Sequence, residues 1–318
     1  MTTRRAAPGW SQETADEFAA FVAPLSNWGR WGADDALGTL NLLTPQCAAD
    51  AVASVVSGRT IALSRPITTE PAPDNPAPML RMMKESGDAA ADVGGSHASD
   101  WLGLGYHGFA VTHIDAHAHQ FFNGQMYNGR AAARVSTRAG AGAGSVGPLA
   151  EHPPVGRGVL LDAPAAFGRP WLELGEGLGP AELDRIAAGQ GVSVRSGDLV
   201  LVRTGRDARA ATHGVTNPIT DGSAGLTGDA LRWLRANDVA VLGTDVQADV
   251  MQPGGAPFAM PVHTGALVHL GLPLIDNMAL EELAQASAQR GRWDFMLVVG
   301  PLRLDRFTGS PVSPVAVL

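Results

Sequence analysis

Residues 107–119 read His107-Gly-Phe-Ala-Val-Thr-His-Ile-Asp-Ala-His-Ala-His119 and gather four of the nine histidines and one carboxylate. In an extended strand, successive side chains point to opposite faces. If the whole stretch is one strand, a single face carries the odd-numbered residues, which are His107, Phe109, Val111, His113, Asp115, His117 and His119. The other face then carries only small or apolar residues, which suit a packed layer.

A divalent metal ion is the partner that this set of side chains predicts. Buried polar groups need partners, and several imidazoles beside an acid have little use in ordinary packing. Neutral imidazole and carboxylate are the usual protein ligands of such ions. A solvated, histidine-rich edge strand is the alternative. The neighbouring segments, Gly-Leu-Gly-Tyr106 and Gln-Phe-Phe122, look buried and favour the metal site.

Composition indicates a globular enzyme with a large core. The 318 residues are 45% hydrophobic and 17% charged. The net charge of -8, without a compensating basic run, argues against nucleic acid and anionic membranes as partners. A single cysteine, Cys47, excludes an internal disulfide and a cysteine-rich zinc site. No run of eighteen apolar residues and no secretory signal is recognisable, so we expect no membrane span and a cytoplasmic location.

We predict an N-terminal helical arm with an aromatic loop over residues 1–59 and one catalytic domain over residues 60–318. The arm has helical patterns at residues 11–22 and 44–58, with a tryptophan- and glycine-rich loop between them at residues 27–35. That loop either walls a pocket or caps the core. Residues 70–98 form a long loop, which is either a lid or binding loop or a surface excursion.

The second half of the chain alternates apolar strands with helices. Strand patterns lie at residues 159–162, 198–204, 239–244 and 296–304, and helical patterns lie at residues 180–188, 228–237 and 280–289. Short apolar strands separated by helices predict an α/β fold with a largely buried sheet. No dinucleotide-binding glycine pattern, phosphate loop or Gly-x-Ser-x-Gly motif is present.

A second chemical cluster consists of His263 and, thirteen residues later, Asp276-Asn277. Taken alone, each member is ambiguous. Asp276 precedes a helical pattern and can serve as its N-cap. The cluster gains meaning from its combination with residues 107–119.

The combined motifs resemble those of the metal-dependent cyclase family, which includes bacterial kynurenine formamidase, isatin hydrolase and a dienelactone hydrolase. Residues 112–115, Thr-His-Ile-Asp, followed by His119, match the family's Thr-His-x-Asp-x-x-x-His core. The resemblance extends through residues 203–205 and 243–245 to His263 with Asp276, and covers roughly residues 60–300. It implies a single domain of the swivelling β/β/α type, with a central mixed sheet flanked by helices. It also implies a homodimer or homotetramer.

Carried over residue by residue, the resemblance implies that His113 and Asp115 bind a divalent metal, Zn²⁺ or Mn²⁺. His263 and Asp276 complete the ligand set, and Asp115 is able to bridge two ions. His119 is the catalytic histidine.

Two departures from the family pattern leave the metal count at one or two ions. The family usually has a histidine four residues before His113, where this chain has Phe109. His107 can supply the missing nitrogen only if the backbone brings it two residues closer. The late acid is usually glutamate, and Asp276 is one methylene shorter.

Four further residues are candidates for the substrate pocket because they flank or interrupt the ligands in sequence. They are Tyr106, Phe109, His117 and Phe122. The aromatic side chains suit a flat or aromatic substrate, and His117 can line the pocket or hydrogen-bond a metal ligand. Ordinary core packing is the alternative for each.

These expectations combine into a metal-dependent hydrolase that opens an amide or lactone carbonyl of a small, cyclic or aromatic substrate. His119 acts as the general acid and base. A non-catalytic protein that binds metal or a small molecule is an alternative, which Phe109 suggests. A lyase or dehydratase that uses the metal to stabilise an enolate is another.

Overall fold

A nine-stranded mixed sheet lies at the centre of the molecule. The structure, a computed structural model, describes residues 11–89, 94–254 and 260–318. The strands of this sheet are β1 Thr60–Ala62, β2 His113–Asp115, β3 Val155–Asp162, β4 Leu199–Arg203, β5 Val241–Thr244, β6 Leu274–Asp276, β7 Asp294–Val298, β8 Gly309–Pro311 and β9 Val315–Val317. Their order across the sheet is β1-β9-β7-β3-β4-β5-β6-β2-β8.

Parallel strands occupy the middle of the sheet, and antiparallel pairs flank them on both sides. Strands β3, β4, β5 and β6 are parallel neighbours, whereas the remaining pairs are antiparallel. Leu201 of β4 lies between Leu160 of β3 and Gly243 of β5. Parallel strands are covered on both faces, which explains their nearly continuous apolar sequences.

Two hydrophobic layers cover the two faces of the sheet. On β4, Val200 and Val202 belong to one buried cluster, and Leu199 and Leu201 belong to the other. This alternation follows from the two-residue period of a strand. Burying each of these side chains contributes roughly 1.5–3 kcal/mol, so the central strands anchor the fold.

Helices supply the outer surface of both layers. Those of seven or more residues are α1 Gln12–Val22, α2 Pro45–Ala53, α3 Pro180–Gln190, α4 Arg206–His213, α5 Ala230–Ala236 and α6 Glu281–Arg290. Ser11 and Thr44 cap α1 and α2 through their hydroxyl groups, as their sequence positions predict. Leu183 of α3 packs in one layer and Leu283 of α6 in the other. None of the helices in the described ranges has the length and apolar character that crossing a membrane requires.

Short elements fill the connections. Short helical turns span Gly147–Glu151, Ala163–Ala166, Pro218–Asp221 and Pro261–His263, and the last continues as a π-helix over Thr264–Leu270. Turns of 3₁₀ type span Ala23–Leu25, Gly38–Leu42, Gly87–Ala89, His117–His119, Tyr127–Gly129 and Ala132–Arg134. Two-stranded ladders join Leu80–Glu85 to Ser99–Gly103, Gln125–Met126 to Arg130–Ala131, Val135–Ser136 to Gly140–Ala141, and Gly177–Leu178 to Gly225–Leu226.

The predicted α/β fold, a central mixed sheet flanked by helices, is confirmed. The predicted strand at residues 296–304 is wrong in extent, because β7 begins at Asp294 and ends at Val298. Strands β8 and β9 were not predicted, since three residues are too few to display an alternating pattern. The loop predicted at residues 70–98 contains one strand of an exposed hairpin, Leu80–Glu85.

Candidate metal centre

The register of three strands brings the first candidate ligands together. Strand β2 lies between β6 and β8, and both pairings are antiparallel. His113 of β2 is directly opposite Asp276 of β6. Directly opposed residues project from the same face of a sheet. His113, Asp115 and Asp276 therefore share one face, and a ligand atom of each lies within 4.8 Å of the others.

The prediction of one continuous strand from residue 107 to residue 119 is wrong. Only His113–Asp115 is a strand, and a 3₁₀ turn follows at His117–His119. The turn breaks the two-residue period, so His117 and His119 point in different directions. His119 faces Asp115, whereas His117 is fully buried beside Tyr127, with its Nε2 atom 3.1 Å from the carbonyl oxygen of Gly271.

Asp115 lies at the centre of four imidazoles. Its Oδ1 atom is 2.9 Å from His107 Nδ1 and 3.5 Å from His113 Nε2. Its Oδ2 atom is 3.8 Å from His119 Nε2 and 3.7 Å from His263 Nε2. The carboxylate is fully buried. One side chain thus connects two sets of nitrogen donors.

Asp276 and Asp249 hold His263 from opposite sides of its ring. The Nε2 atom of His263 is 3.1 Å from Asp276 Oδ2, and its Nδ1 atom is 2.6 Å from Asp249 Oδ2. Asp249 also accepts hydrogen bonds from the backbone amides of Val262 and His263. An acid on the far nitrogen of a metal-binding histidine fixes its ring and tautomer. Asp249 is placed to do this for His263.

The donor set fits a divalent metal ion. Among the described residues, neither oxygen of Asp115 has a well-directed hydrogen bond, although His107 approaches closely, and Asp276 Oδ1 also has none. Buried carboxylate oxygens without hydrogen bonds are costly unless a cation compensates them. Within the described ranges, two groups of donors are close enough to hold an ion, and both contain Asp115. They are His107 with Asp115 and His119, and His113 with Asp115 and Asp276.

The electrostatics of the site also favour positive charge. Burial opposes ionisation of Asp115, but the imidazoles of His119, His113 and His107 hold the pKa of this carboxyl below its usual range. Burial opposes protonation of His263, yet Asp276 and Asp249 raise its pKa well above the usual value. Carboxylates that draw a proton onto a buried imidazole in this way also attract a metal cation.

His119 differs from His263 in its electrostatic environment. Burial lowers the pKa of His119 to about 4, and the attraction of Asp115 offsets only part of this effect. The side chain keeps 27% of its surface exposed, whereas those of His113 and His263 keep only 2%. At neutral pH the ring is therefore uncharged, accessible and able to accept a proton.

His107 reaches the cluster because the chain bends at residues 107–111 instead of continuing as a strand. Its Nε2 atom is 2.9 Å from the hydroxyl of Thr308, and its ring stacks on His119 with centroids 4.0 Å apart. Gly309 of β8 permits this arrangement, because a Cβ atom there would lie 2.4 Å from the carbonyl oxygen of Ile114 and 3.0 Å from the His107 ring. His107 therefore lies beside Asp115, whereas Phe109 does not.

A buried polar network fixes the bent segment before β2. The side-chain amide of Asn277 donates to the carbonyl oxygens of Gly108 and Val111, at 2.8 and 3.1 Å. Arg206 donates to the side chain of Asn277 at 2.8 Å and to the carbonyl oxygen of Phe109. Val111 in turn accepts a hydrogen bond from His113 Nδ1, at 2.8 Å, which orients the ring. Asn277 and Arg206 therefore hold the backbone between His107 and His113 in its bent conformation.

The four pocket candidates fall into two groups. Tyr106 and Phe109 line a groove that begins at His107. His117 and Phe122 lie in the interior instead. Phe122 packs in a T-shaped contact with Phe18 of α1, with ring centroids 5.3 Å apart. Neither His117 nor Phe122 lies at the candidate metal centre.

Sequence reasoning missed Asp249, Arg206 and Thr308. Asp249 lies five residues beyond the end of β5 at Thr244, and the acid directly at that strand end is Asp245, so position in the sequence did not single out Asp249. Arg206 and Thr308 show no spacing that relates them to residues 107–119. Only tertiary packing brings them to the site.

Comparisons with known proteins found a family model and solved structures that are similar to this chain. The Cyclase family model matches residues 60–249. A solved structure described as a novel cyclase is 28% identical, with a TM-score of 0.83, and the alignment covers 92% of this chain and 99% of that one. No curated protein matches the chain.

Two further solved structures share the fold at lower identity. An isatin hydrolase bound to the product analogue thioisatinate is 21% identical, with a TM-score of 0.58, and the alignment covers 87% of this chain and 99% of that one. A structure described as a potential metal-dependent hydrolase with cyclase activity is 17% identical, with a TM-score of 0.52 and coverage of 81% and 98%. The family match spans more than half of the sequence, and the chain belongs to the cyclase family.

Proposed function

We propose that this protein is a metal-dependent hydrolase that opens an amide or lactone carbonyl of a small substrate. One observation carries the proposal: the buried carboxylate of Asp115, without well-directed hydrogen bonds from the described residues, lies among four imidazoles. The fold shared with isatin hydrolase and with a potential metal-dependent hydrolase supports it.

In this proposal, His113, Asp115, His263 and Asp276 hold a divalent ion, Zn²⁺ or Mn²⁺, and His107 contributes from the other side of Asp115. Among the described residues, a second ion would be held by His107, Asp115 and His119, and in that case His119 would be a ligand and not the proton carrier. A bound divalent ion supplies Lewis-acid chemistry, which lowers the pKa of water and polarises a carbonyl group.

His119 carries the proton transfer in this mechanism. Its ring is uncharged at neutral pH, so Nε2 can take a proton from the attacking water and return it to the leaving group. Stacking on His107 fixes the ring plane, and its partial exposure gives a substrate access to Nε2. Asp115, 3.8 Å away, stabilises the imidazolium that forms.

Paired substitutions separate metal binding from catalysis. Asp115→Asn keeps the shape of the side chain but removes its charge, so we expect loss of bound metal and of activity. His119→Ala should retain the metal and lower turnover by about 10²–10⁴-fold, the usual contribution of a general acid or base. Elemental analysis and a panel of aryl-formamides, cyclic amides and lactones, assayed with and without chelator, measure both effects.

A different experimental result would contradict each of these assignments. Metal-independent hydrolysis, or full metal content in Asp115→Asn, contradicts the proposed metal centre. Loss of metal in His119→Ala makes His119 a ligand instead of the proton carrier. Incorporation of solvent oxygen into the product distinguishes hydrolysis from a lyase or dehydratase reaction.

A further inference from the structure

A groove of about 700 Å³ opens beside the metal centre and shares His107 with it. Two segments form its walls, the proline-rich residues 69 and 74–80 and the glycine-rich residues 103–111. The volume lies within the usual range of small-molecule sites, roughly 300–1,000 Å³. His107 lines the groove while its Nδ1 atom lies 2.9 Å from Asp115. The groove and the candidate metal centre therefore adjoin each other at the ring of His107.

Few of the residues that line the groove are ionisable, and the carboxylate among them is paired. Of the described residues that line it, Asp74 and His107 are the ionisable ones apart from Tyr106. Asp74 is buried and forms an ion pair with Arg206 at 2.7 Å. No lysine or arginine lines the groove among the described residues. The described lining therefore offers a carboxylate no partner of fixed positive charge, only the neutral donors of Thr69 and Asn75.

Apart from Thr69 and Asn75, the other described residues that line the groove are apolar residues and glycines. The apolar side chains that line it are those of Met79, Leu80, Leu104, Phe109 and Val111, with two prolines and two alanines of the same segments. Tyr106 presents its ring only, because its hydroxyl donates to the carbonyl oxygen of Gly309 at 2.8 Å. A bound group would therefore gain mainly from the removal of apolar surface from water.

We infer that this groove binds an uncharged, apolar substituent of the substrate and discriminates against substituents that carry a carboxylate. The inference rests on the proposed function, because it takes the carbonyl at the metal centre as the reacting end. It narrows the substrate class to neutral amides or lactones with an alkyl or aryl substituent. A carboxylate placed in the groove loses water without gaining a lysine or arginine partner.

Binding measurements test the inference separately from turnover. The probes are N-butylformamide, N-hexylformamide and ω-formamidohexanoate, titrated calorimetrically into the full-length, metal-loaded protein. Affinity should rise about three- to fourfold per added methylene, which corresponds to about 0.8 kcal/mol. The carboxylate probe should bind at least about tenfold more weakly than N-hexylformamide.

A charge substitution in the groove should invert this preference. Met79→Lys places an ammonium in the groove, so affinity for ω-formamidohexanoate should rise about tenfold while that for N-hexylformamide falls. Met82→Lys is the matched control, because Met82 is 55% exposed on the neighbouring hairpin and does not line the groove. It should change neither affinity by more than about twofold.

The outcomes separate the two proposals. Equal or tighter binding of the carboxylate probe to the unmodified protein overturns the groove assignment, whether or not the formamides are hydrolysed. A preference for the neutral probe without metal-dependent hydrolysis of any substrate supports the groove and contradicts the proposed function. Equal responses of Met79→Lys and Met82→Lys also overturn the assignment, since the effect would then be general electrostatics.

Discussion

At the scale of single residues, Asp115 and Asp249 show how one residue type serves two purposes. Asp115 accepts no well-directed hydrogen bond from the described residues, whereas Asp249 accepts hydrogen bonds from two backbone amides and from His263. The first carboxylate is therefore available to a cation. The second is fully engaged in fixing the ring of His263 and acts through that histidine.

Substitution of Asp249 should weaken metal binding without removing a ligand. In Asp249→Asn the amide cannot supply the negative charge next to His263 Nδ1, and its NH₂ group cannot accept a hydrogen bond from a backbone amide. Loss of such a supporting acid typically lowers metal affinity about 10–100-fold. Competition with a chromophoric chelator measures the affinity directly.

Asp198→Asn is the control for this experiment. Asp198 is equally buried but pairs with Arg157 at 2.8 Å, and it contacts none of the candidate ligands. Its substitution should leave metal affinity within about twofold of the original value. Equal losses in both variants contradict a specific role for Asp249.

At the scale of elements, the loop at residues 26–28 clamps the π-helix that follows His263. Trp28 stacks on His269 with centroids 5.5 Å apart and donates from its indole nitrogen to the carbonyl oxygen of Val268, at 2.6 Å. Asn27 donates to the carbonyl oxygen of His269. π-helices lack the regular i to i+4 ladder, and such contacts compensate for this. The tryptophan-rich loop thus packs against the element that positions a candidate ligand.

His269 gives this clamp a measurable pH dependence. Burial lowers its pKa to about 4, and within the described residues Nε2 has no hydrogen-bond partner. Because an unfolded histidine titrates near 6.5, the unfolded chain binds the proton more readily between pH 6.5 and pH 4. The contribution of His269 to the free energy of unfolding is therefore fully retained above pH 6.5. It decreases as the pH falls, by about 1–3 kcal/mol at pH 4.

His269→Phe should remove this contribution. The difference in unfolding free energy between the variant and the original protein, from urea titrations at pH 7 and pH 4.5, should shift in favour of the variant at the lower pH. His152→Gln, a substitution at an exposed histidine, controls for general effects of histidine loss. A pH-independent difference for His269→Phe would rule out this linkage.

At the scale of the whole molecule, the candidate metal centre joins parts of the chain that lie far apart in sequence. His113 and Asp115 come from β2, Asp276 comes from β6, and His263 precedes the π-helix. A ligand that binds only the folded state stabilises it by RT ln(1 + [L]/Kd), which is about 2.7 kcal/mol at a hundredfold excess over Kd. Metal binding should therefore stabilise the entire domain.

Calorimetry with and without added Zn²⁺ or Mn²⁺ measures this stabilisation. We expect removal of the metal by chelator to lower the Tm by about 5 °C. Asp115→Asn should show no response to metal. A Tm of the original protein that does not change between chelator and saturating metal contradicts the site.

Local patterns predicted much of the fold. The helices near residues 180–190 and 281–290, and the apolar strands β3 to β5, follow from periodicity and capping signals that act within a few residues. The short outer strands β8 and β9 have no such pattern. They exist because β2 and β7 offer unpaired backbone groups on which they dock.

The candidate site was predicted less evenly. The predicted location of His113, Asp115, His119, His263 and Asp276 close to one another agrees with the structure, although their chemical roles stay predictions. The parity argument failed at His117, because a strand of three residues ends before it and a 3₁₀ turn redirects the side chain. His107 lies at the cluster because the chain before β2 is bent and is not part of the strand.

The sequence alone determined which residue types can carry the chemistry and which segments form the central sheet, because both depend on composition and short-range periodicity. Only the tertiary structure decided which histidines of residues 107–119 meet Asp115. That choice depends on β8 packing at Gly309 and on the Arg206–Asn277 network, both distant in sequence. Side-chain direction at a site follows backbone bends, and these are set by contacts that a local pattern does not encode.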